Sequence, residues 1–329
     1  MTTPDEHGTE AVVAQLREWL RANLPSDWRA AVEAGDTAAL GAITSDPART
    51  SAWYETLGAA GWATPGWPTE HGGRGATADE AGAVADELAR WSAGRPDADF
   101  VGLALAGATI LAWGTEEQRQ RYLPPLARGR ERWCQLFSEP GAGSDLASLA
   151  TRAEAHPDGS WVVNGQKVWS SYAHESRFGL LMARSDASLP KHRGITYFLL
   201  DMSTPGVQAR PLRQMTGDAE FNEVFLDDVV VPDSARLGGV NEGWRVAITT
   251  LMSERSGLSG RPAVGPGVTD ALVARARTTG AWDSPVLRDR ILGLLVEERT
   301  LQMATLRAFA PAMTRRARRD RSASWCTRS

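Results

Sequence analysis

Apolar side chains at Val12, Val13, Leu16, Trp19 and Leu20 recur at the spacing of one helix face, which predicts a helix over Glu10 to Leu24, closed by Pro25. A second helix is predicted over Ser51 to Ala60, with Trp53, Leu57 and Ala60 on one side. The run from Gly61 to Gly75 is so rich in glycine and proline that it reads as a loop. A third helix is predicted from about Thr77 to Trp91. A fourth, Val101 to Trp113, is almost wholly apolar or small, the composition of a buried helix. Thr115-Glu116-Glu117-Gln118 reads as an N-cap with acids in the first turn, opening a short helix that ends near Pro124-Pro125.

From about Trp133 the period changes. Trp161 to Val163, Lys167 to Trp169, Phe178 to Ala183, Ile195 to Leu200 and Glu223 to Val231 are short runs rich in β-branched and aromatic residues. Turn signals separate them: Pro157-Asp158-Gly159, Asn164-Gly165, His192-Arg193-Gly194 and Thr204-Pro205-Gly206. That density predicts a small antiparallel sheet or barrel. After Pro232 the helical period returns. Asn241 to Ser256 carries Trp244, Ile248, Leu251 and Met252 on one side, and Ser284-Pro285 opens a last helix to about Phe309. The expected fold class is α+β multidomain: an N-terminal α-helical domain over 1–130, a central antiparallel β-domain over 131–235 and a partial C-terminal helical domain over 236–312. Beyond it, 313–329 opens on the basic block Arg315 to Arg321 and has no periodicity, so it reads as a disordered or out-of-frame tail.

Composition narrows the classes. The 329 residues suffice for a sizeable core, and the net charge of -4 gives no reason to expect nucleic acid as a partner. Cys134 and Cys326 are too few for a disulfide scaffold. The polar, acidic start MTTPDEHGTE is unlike a signal peptide, and no apolar run reaches membrane-spanning length, so a cytoplasmic protein without a membrane partner is expected. The five histidines have no ligand spacing, so no metal is expected, and no Walker loop or strand-linked dinucleotide fingerprint appears.

The candidate chemistry lies in two linked segments. Gln135-Leu136-Phe137-Ser138-Glu139-Pro140-Gly141-Ala142-Gly143-Ser144-Asp145 ends an apolar run in a bend of small residues. Asn164-Gly165-Gln166-Lys167-Val168-Trp169-Ser170-Ser171 follows as a strand ending in an aromatic and two hydroxyls. Taken as bare residues, the glycines read as a tight turn, and Trp169 with its hydroxyls as a buried aromatic at a strand edge. Glycine also lets backbone N–H groups approach an anionic or carbonyl-edged ligand. Together the segments resemble the flavin-contacting signatures of the acyl-CoA dehydrogenase family, and the order helices, β-domain, helices is that family's order.

The resemblance implies FAD as cofactor. It implies that Gln135, Phe137, Ser138 and Gly143 border the flavin, the Ser138 hydroxyl and backbone N–H groups meeting its pyrimidine edge. Ser144 would lie near both the FAD pyrophosphate and the CoA portion of the substrate, and Trp169, Ser170 and Ser171 against the rings. It implies an acyl-CoA substrate contacted by Ser144 and Arg255, with Glu254 a candidate base. Most family members instead take the base from a loop that would lie past the end of this chain. Read without the resemblance, Glu254 and Arg255 are two solvated charges on an amphipathic helix. The implied partners are an electron-transferring flavoprotein and further subunits in a homo- or hetero-oligomer. Two alternatives remain open: a flavin monooxygenase or oxidase on the same fold, and a catalytically silent flavin- or CoA-binding subunit beside an active partner. Two departures bear on these. Ala274 to Trp282 stands where the family's arginine-phenylalanine-glycine segment, which helps a neighbouring subunit hold FAD, would be, and Met252 stands where some relatives have an aspartate.

Overall fold

Three aspartate- and serine-led starts, at Ser26, Asp36 and Asp46, divide the N-terminal region more finely than its apolar period predicts. A computed structural model describes residues 4–95, 99–258 and 268–323. In it α1 spans Pro4–Asn23, α2 Ser26–Ala34, α3 Thr37–Thr44, α4 Pro47–Ala59 and α5 Ala78–Arg90. The Asp36 and Asp46 side chains each accept from two backbone N–H groups and so cap α3 and α4. Thr77 and Glu80 close a reciprocal capping box on α5. Helices α2 and α3 were not anticipated, since each is too short to show a period. Leu16, Leu20, Trp28, Trp53, Leu57, Val84 and Leu88 form the core of this region, and Arg17 grips Glu87 of α5 through two 2.8 Å bonds.

Helix α6, Val101–Trp113, opens with π-helical turns over Val101–Ala106. Helix α7 runs Glu116–Ala127, past the expected stop at Pro124-Pro125. The two prolines lack donors, but their carbonyls still accept from Arg128 and Arg130, so the last turn closes.

Seven strands follow: β1 Trp133–Leu136, β2 Arg152–Ala155, β3 Ser160–Lys167, β4 Phe178–Arg184, β5 Ile195–Asp201, β6 Val207–Pro211 and β7 Asn222–Pro232. The spatial order is β1-β4-β2-β3-β7-β6, with β5 on β4. The sheet is mixed rather than wholly antiparallel, because β4 pairs in parallel with β1 and β2. The expected turn at Asn164-Gly165 is instead a bulge within one continuous strand, β3. A Cβ on Gly165 would come within 2.4 Å of Thr151 Oγ1, so glycine there permits the close crossing with β2. One sheet face packs Trp133, Phe137, Leu180 and Tyr197 against Leu105 and Ile110 of α6, Leu123 of α7 and Val246 of helix α8, Gly243–Leu258. The other face holds Leu136, Trp161, Val163, Phe198 and Val229.

The residues from Leu258 on form a second unit. It contains α9, Val268–Thr278, and α10, Pro285–Ala323. Arg299 bonds Asp270, and Thr269 N–H donates to Glu298. The expected tail is helical backbone from Met313 through Ala323, and 324–329 lie outside the described residues. No helix among the described residues is long and apolar enough to cross a membrane.

Candidate functional site

The bend after β1 is closed by two backbone bonds, Glu139 N–H to Ala142 O at 2.9 Å and Ala142 N–H to Glu139 O at 3.1 Å. A Cβ on Gly141 or Gly143 would meet nothing within 4 Å, and neither residue has a positive φ. Neither the chain's own packing nor its backbone conformation therefore requires glycine at these two positions. What they provide is bare backbone facing open space.

Beneath the bend lies a buried ion pair. Lys167, at the end of β3, is 0% exposed. Its Nζ donates to Glu139 Oε1 at 2.8 Å and to the Phe137 carbonyl at 3.1 Å. Glu139 also accepts from the backbone N–H groups of Ala150 and Thr151. Burial acts to raise the Glu139 carboxyl, but Lys167 and the two amides outweigh it and hold the group below its usual range. Burial pulls the Lys167 ammonium down to about 8, with Glu139 opposing the shift, so both are charged at neutral pH.

The second segment meets the first through Val168 N–H, which donates to the Ser138 carbonyl at 2.9 Å. Trp169 follows outside the strand, in the left-handed region at φ 61°. Its indole is 62% exposed and stands edge-on to Phe221, with ring centroids 6.0 Å apart. A tryptophan in this backbone region is strained by about 1–3 kcal/mol, so the surroundings must hold it there. Asn222 does so. Its amide donates to the carbonyls of Ser170 and Glu220, its side-chain oxygen meets His174 Nδ1 at 2.9 Å, and its own carbonyl accepts from Ser170 N–H.

The structure brings Ser138 and Trp169 to one place. Gln135 joins them through β1, and its Nε2 lies 3.5 Å from Glu254 Oε2 of α8. Helix α8 is fixed by Thr250, whose hydroxyl meets Thr109 at 2.9 Å and Tyr197 at 3.0 Å, and by Thr249, which accepts from Trp113 Nε1. Arg255 is exposed at the next position of the helix. Ser171 is half-buried, whereas Ser170 is buried and its Oγ has no hydrogen-bond partner among the described residues. Phe137 departs from expectation. Its ring is buried edge-on to Tyr197, so only its backbone is available at the bend. Gly143 and Ser144 are exposed on the loop, beside Asp145, which pairs with Lys191. Sequence reasoning assigned no role to Glu139, Lys167, Asn222 or His174. The only available signal was a lysine at the end of a predicted strand, between Gln166 and Val168. A cleft of about 410 Å³ lined by Leu57, Trp62, Val84, Leu88 and Arg95 lies among the N-terminal helices and includes none of these residues.

The family model described as "Acyl-CoA dehydrogenase, N-terminal domain" matches residues 8–130, and the one described as "Acyl-CoA dehydrogenase, middle domain" matches residues 134–229. The chain belongs to the acyl-CoA dehydrogenase family. It is 44% identical over 288 residues to acyl-CoA dehydrogenase IpdE1 of Mycobacterium tuberculosis, covering 84% of this chain and 71% of that protein. It is 49% identical over 236 residues to acyl-CoA dehydrogenase FadE34 of the same organism, covering 72% of this chain but only 32% of that longer protein. Among solved structures it is similar to one named the Tcur3481-Tcur3483 steroid ACAD, with TM-score 0.69 and 29% identity, covering 92% of this chain and 77% of that one.

FAD is the cofactor of this acyl-CoA dehydrogenase family. The residues present fit such a group. Gly141 and Gly143 leave the backbone open, Ser170 offers a buried hydroxyl without a partner, and the exposed Trp169 supplies a flat apolar face.

Proposed function

We propose that this chain binds FAD and performs α,β-dehydrogenation of an acyl-CoA thioester. The observation that carries the reading is the Val168-to-Ser138 hydrogen bond, which holds the glycine bend beside the exposed Trp169. In this reading Ser138 and the backbone of Phe137 and Gly143 border the flavin's polar edge, and Trp169, Ser170 and Ser171 lie against its rings. Ser144 and Arg255 face the CoA portion.

The proton alpha to a thioester is weakly acidic, so its removal needs a carboxylate aimed at it. Glu254 is the candidate: it is half-buried and within reach of Gln135 on the strand that leads into the bend. FAD, when bound, supplies the acceptor for the hydride that leaves the beta carbon, and an electron-transferring flavoprotein is the proposed next acceptor. The proton goes to Glu254, and the product is the 2-enoyl thioester. The name of the steroid ACAD supports a bulky, steroid-type acyl group. That name also joins two proteins, which supports a second reading in which this chain works beside a homologous partner.

The test is anaerobic addition of a steroid-type acyl-CoA to the FAD-loaded chain. Loss of flavin absorbance in the wild type, abolished in Glu254→Gln with FAD still bound, is the expected result. Unchanged bleaching in that variant removes Glu254 as the base. Bleaching that requires an added homologous chain selects the second reading.

A further inference from the structure

The buried Lys167 does more than neutralise Glu139. Its Nζ lies 3.1 Å from the Phe137 carbonyl oxygen, and that carbonyl shares one peptide unit with the Ser138 N–H. A peptide unit is a resonance system, so a cation on its oxygen withdraws electron density from its nitrogen. The N–H at the far end becomes more positive and a stronger donor. Ser138 N–H donates to no acceptor among the described residues, while the Ser138 carbonyl is already tied to Val168. Direction and strength of this one amide are thus set by groups within the chain, and the amide itself is left for something else.

We propose that Lys167 is a positioning residue that polarises the Ser138 amide as a hydrogen-bond donor to the pyrimidine edge of the flavin. The inference rests on the proposed FAD site and adds to it a residue that touches no part of the cofactor. Glu139 has the complementary role: with Ala150 and Thr151 donating to it, it holds the ammonium in place without reaching the carbonyl itself. The ammonium end of this ion pair faces the peptide oxygen, out of contact with water, so it acts there at an effective dielectric well below that of the solvent. Reduction adds negative charge to the flavin's pyrimidine edge. A stronger donor there favours the reduced form.

The test is a spectroelectrochemical titration of the FAD-loaded full chain, alongside FAD binding and thermal unfolding. Lys167→Met alone leaves the Glu139 carboxylate buried without its cation and endangers the fold. The double variant Lys167→Met/Glu139→Gln removes both charges and keeps the shape. In the double variant the FAD dissociation constant is expected to rise about tenfold, the size expected when one charge-assisted hydrogen bond is weakened. Its flavin potential, measured at saturating FAD, is expected to become more negative. Lys167→Arg, which keeps a cation at the carbonyl, is expected to recover most of the potential. A double variant that loses thermal stability but keeps the wild-type potential would make the pair merely structural and overturn the proposal. A wild-type chain that takes up no FAD overturns both this inference and the site on which it rests.

Discussion

Two residues of the site hold conformations that they would not choose alone. Trp169 is in left-handed backbone with most of its indole in water, and Lys167 is a cation with no water at all. Each costs free energy, and each is held by a specific partner, Asn222 in the first case and Glu139 in the second. The sequence made Trp169 visible as a candidate, because an aromatic followed by two hydroxyls after Asn-Gly-Gln-Lys is specific. It left Lys167 unassigned, because burial of a charge is decided by strands far apart in the chain. The pair has a pH signature. Glu139 has a folded pKa below its unfolded value, so the unfolded chain binds the proton more readily. The stability it contributes is complete above the ordinary carboxylate range and is lost as pH falls through the depressed folded value. Urea midpoints measured from pH about 7 down to about 4 and below should therefore fall more steeply in the wild type than in Lys167→Met/Glu139→Gln, which has neither charge. Equal slopes would mean that the pair contributes nothing to acid sensitivity.

At the scale of elements, long periodic helices were legible and short ones were not. Helices α1 and α5 and the core of α8 follow from their apolar period, whereas α2 depends on its left-handed Gly35 cap and its own buried Trp28, and α3 on its Asp36 cap and its own buried Ile43. The runs that became β3, β4, β5 and β7 were legible from their residue types, but their pairing was not. Parallel contacts of β4 with β1 and β2 bring together residues tens of positions apart, and no local pattern records them. Asn164-Gly165 carries a hairpin's residue types, yet the pairing of β3 with β7 continues through it and turns the extra residue into a bulge. The glycines therefore divide into two kinds, and substitution separates them. Gly165→Val meets Thr151 and should lower stability by about 1–3 kcal/mol, the usual cost of overpacking. The Cβ of Gly143→Ala meets nothing within 4 Å, so that variant should leave the denaturation midpoint near wild type while weakening FAD binding. Equal loss of stability in both would mean that Gly143 is a structural glycine.

For the whole molecule, what matters is that one strand, one bend, one strand end and one helix converge. Strand β1 leads into the bend, β3 delivers Val168 and Trp169 to it, and α8 presents Glu254 to Gln135 of β1. The general architecture was legible from the order helices, strands, helices. The convergence was legible only through the resemblance, because Gln135 and Glu254 lie on elements separated by the rest of the sheet. In the second unit, α10 exposes Val286, Leu294, Val296, Leu301 and Met303 within this chain.

The measurement that tests the account most directly is titration of FAD into the flavin-free chain, followed by tryptophan quenching and flavin absorbance, in wild type, Trp169→Ala and Ser138→Ala. Saturable uptake by the wild type, with Trp169→Ala and Ser138→Ala each weakening it and each keeping the wild-type far-ultraviolet circular dichroism, is the predicted result. Folded variants that take up FAD as tightly as the wild type would contradict it.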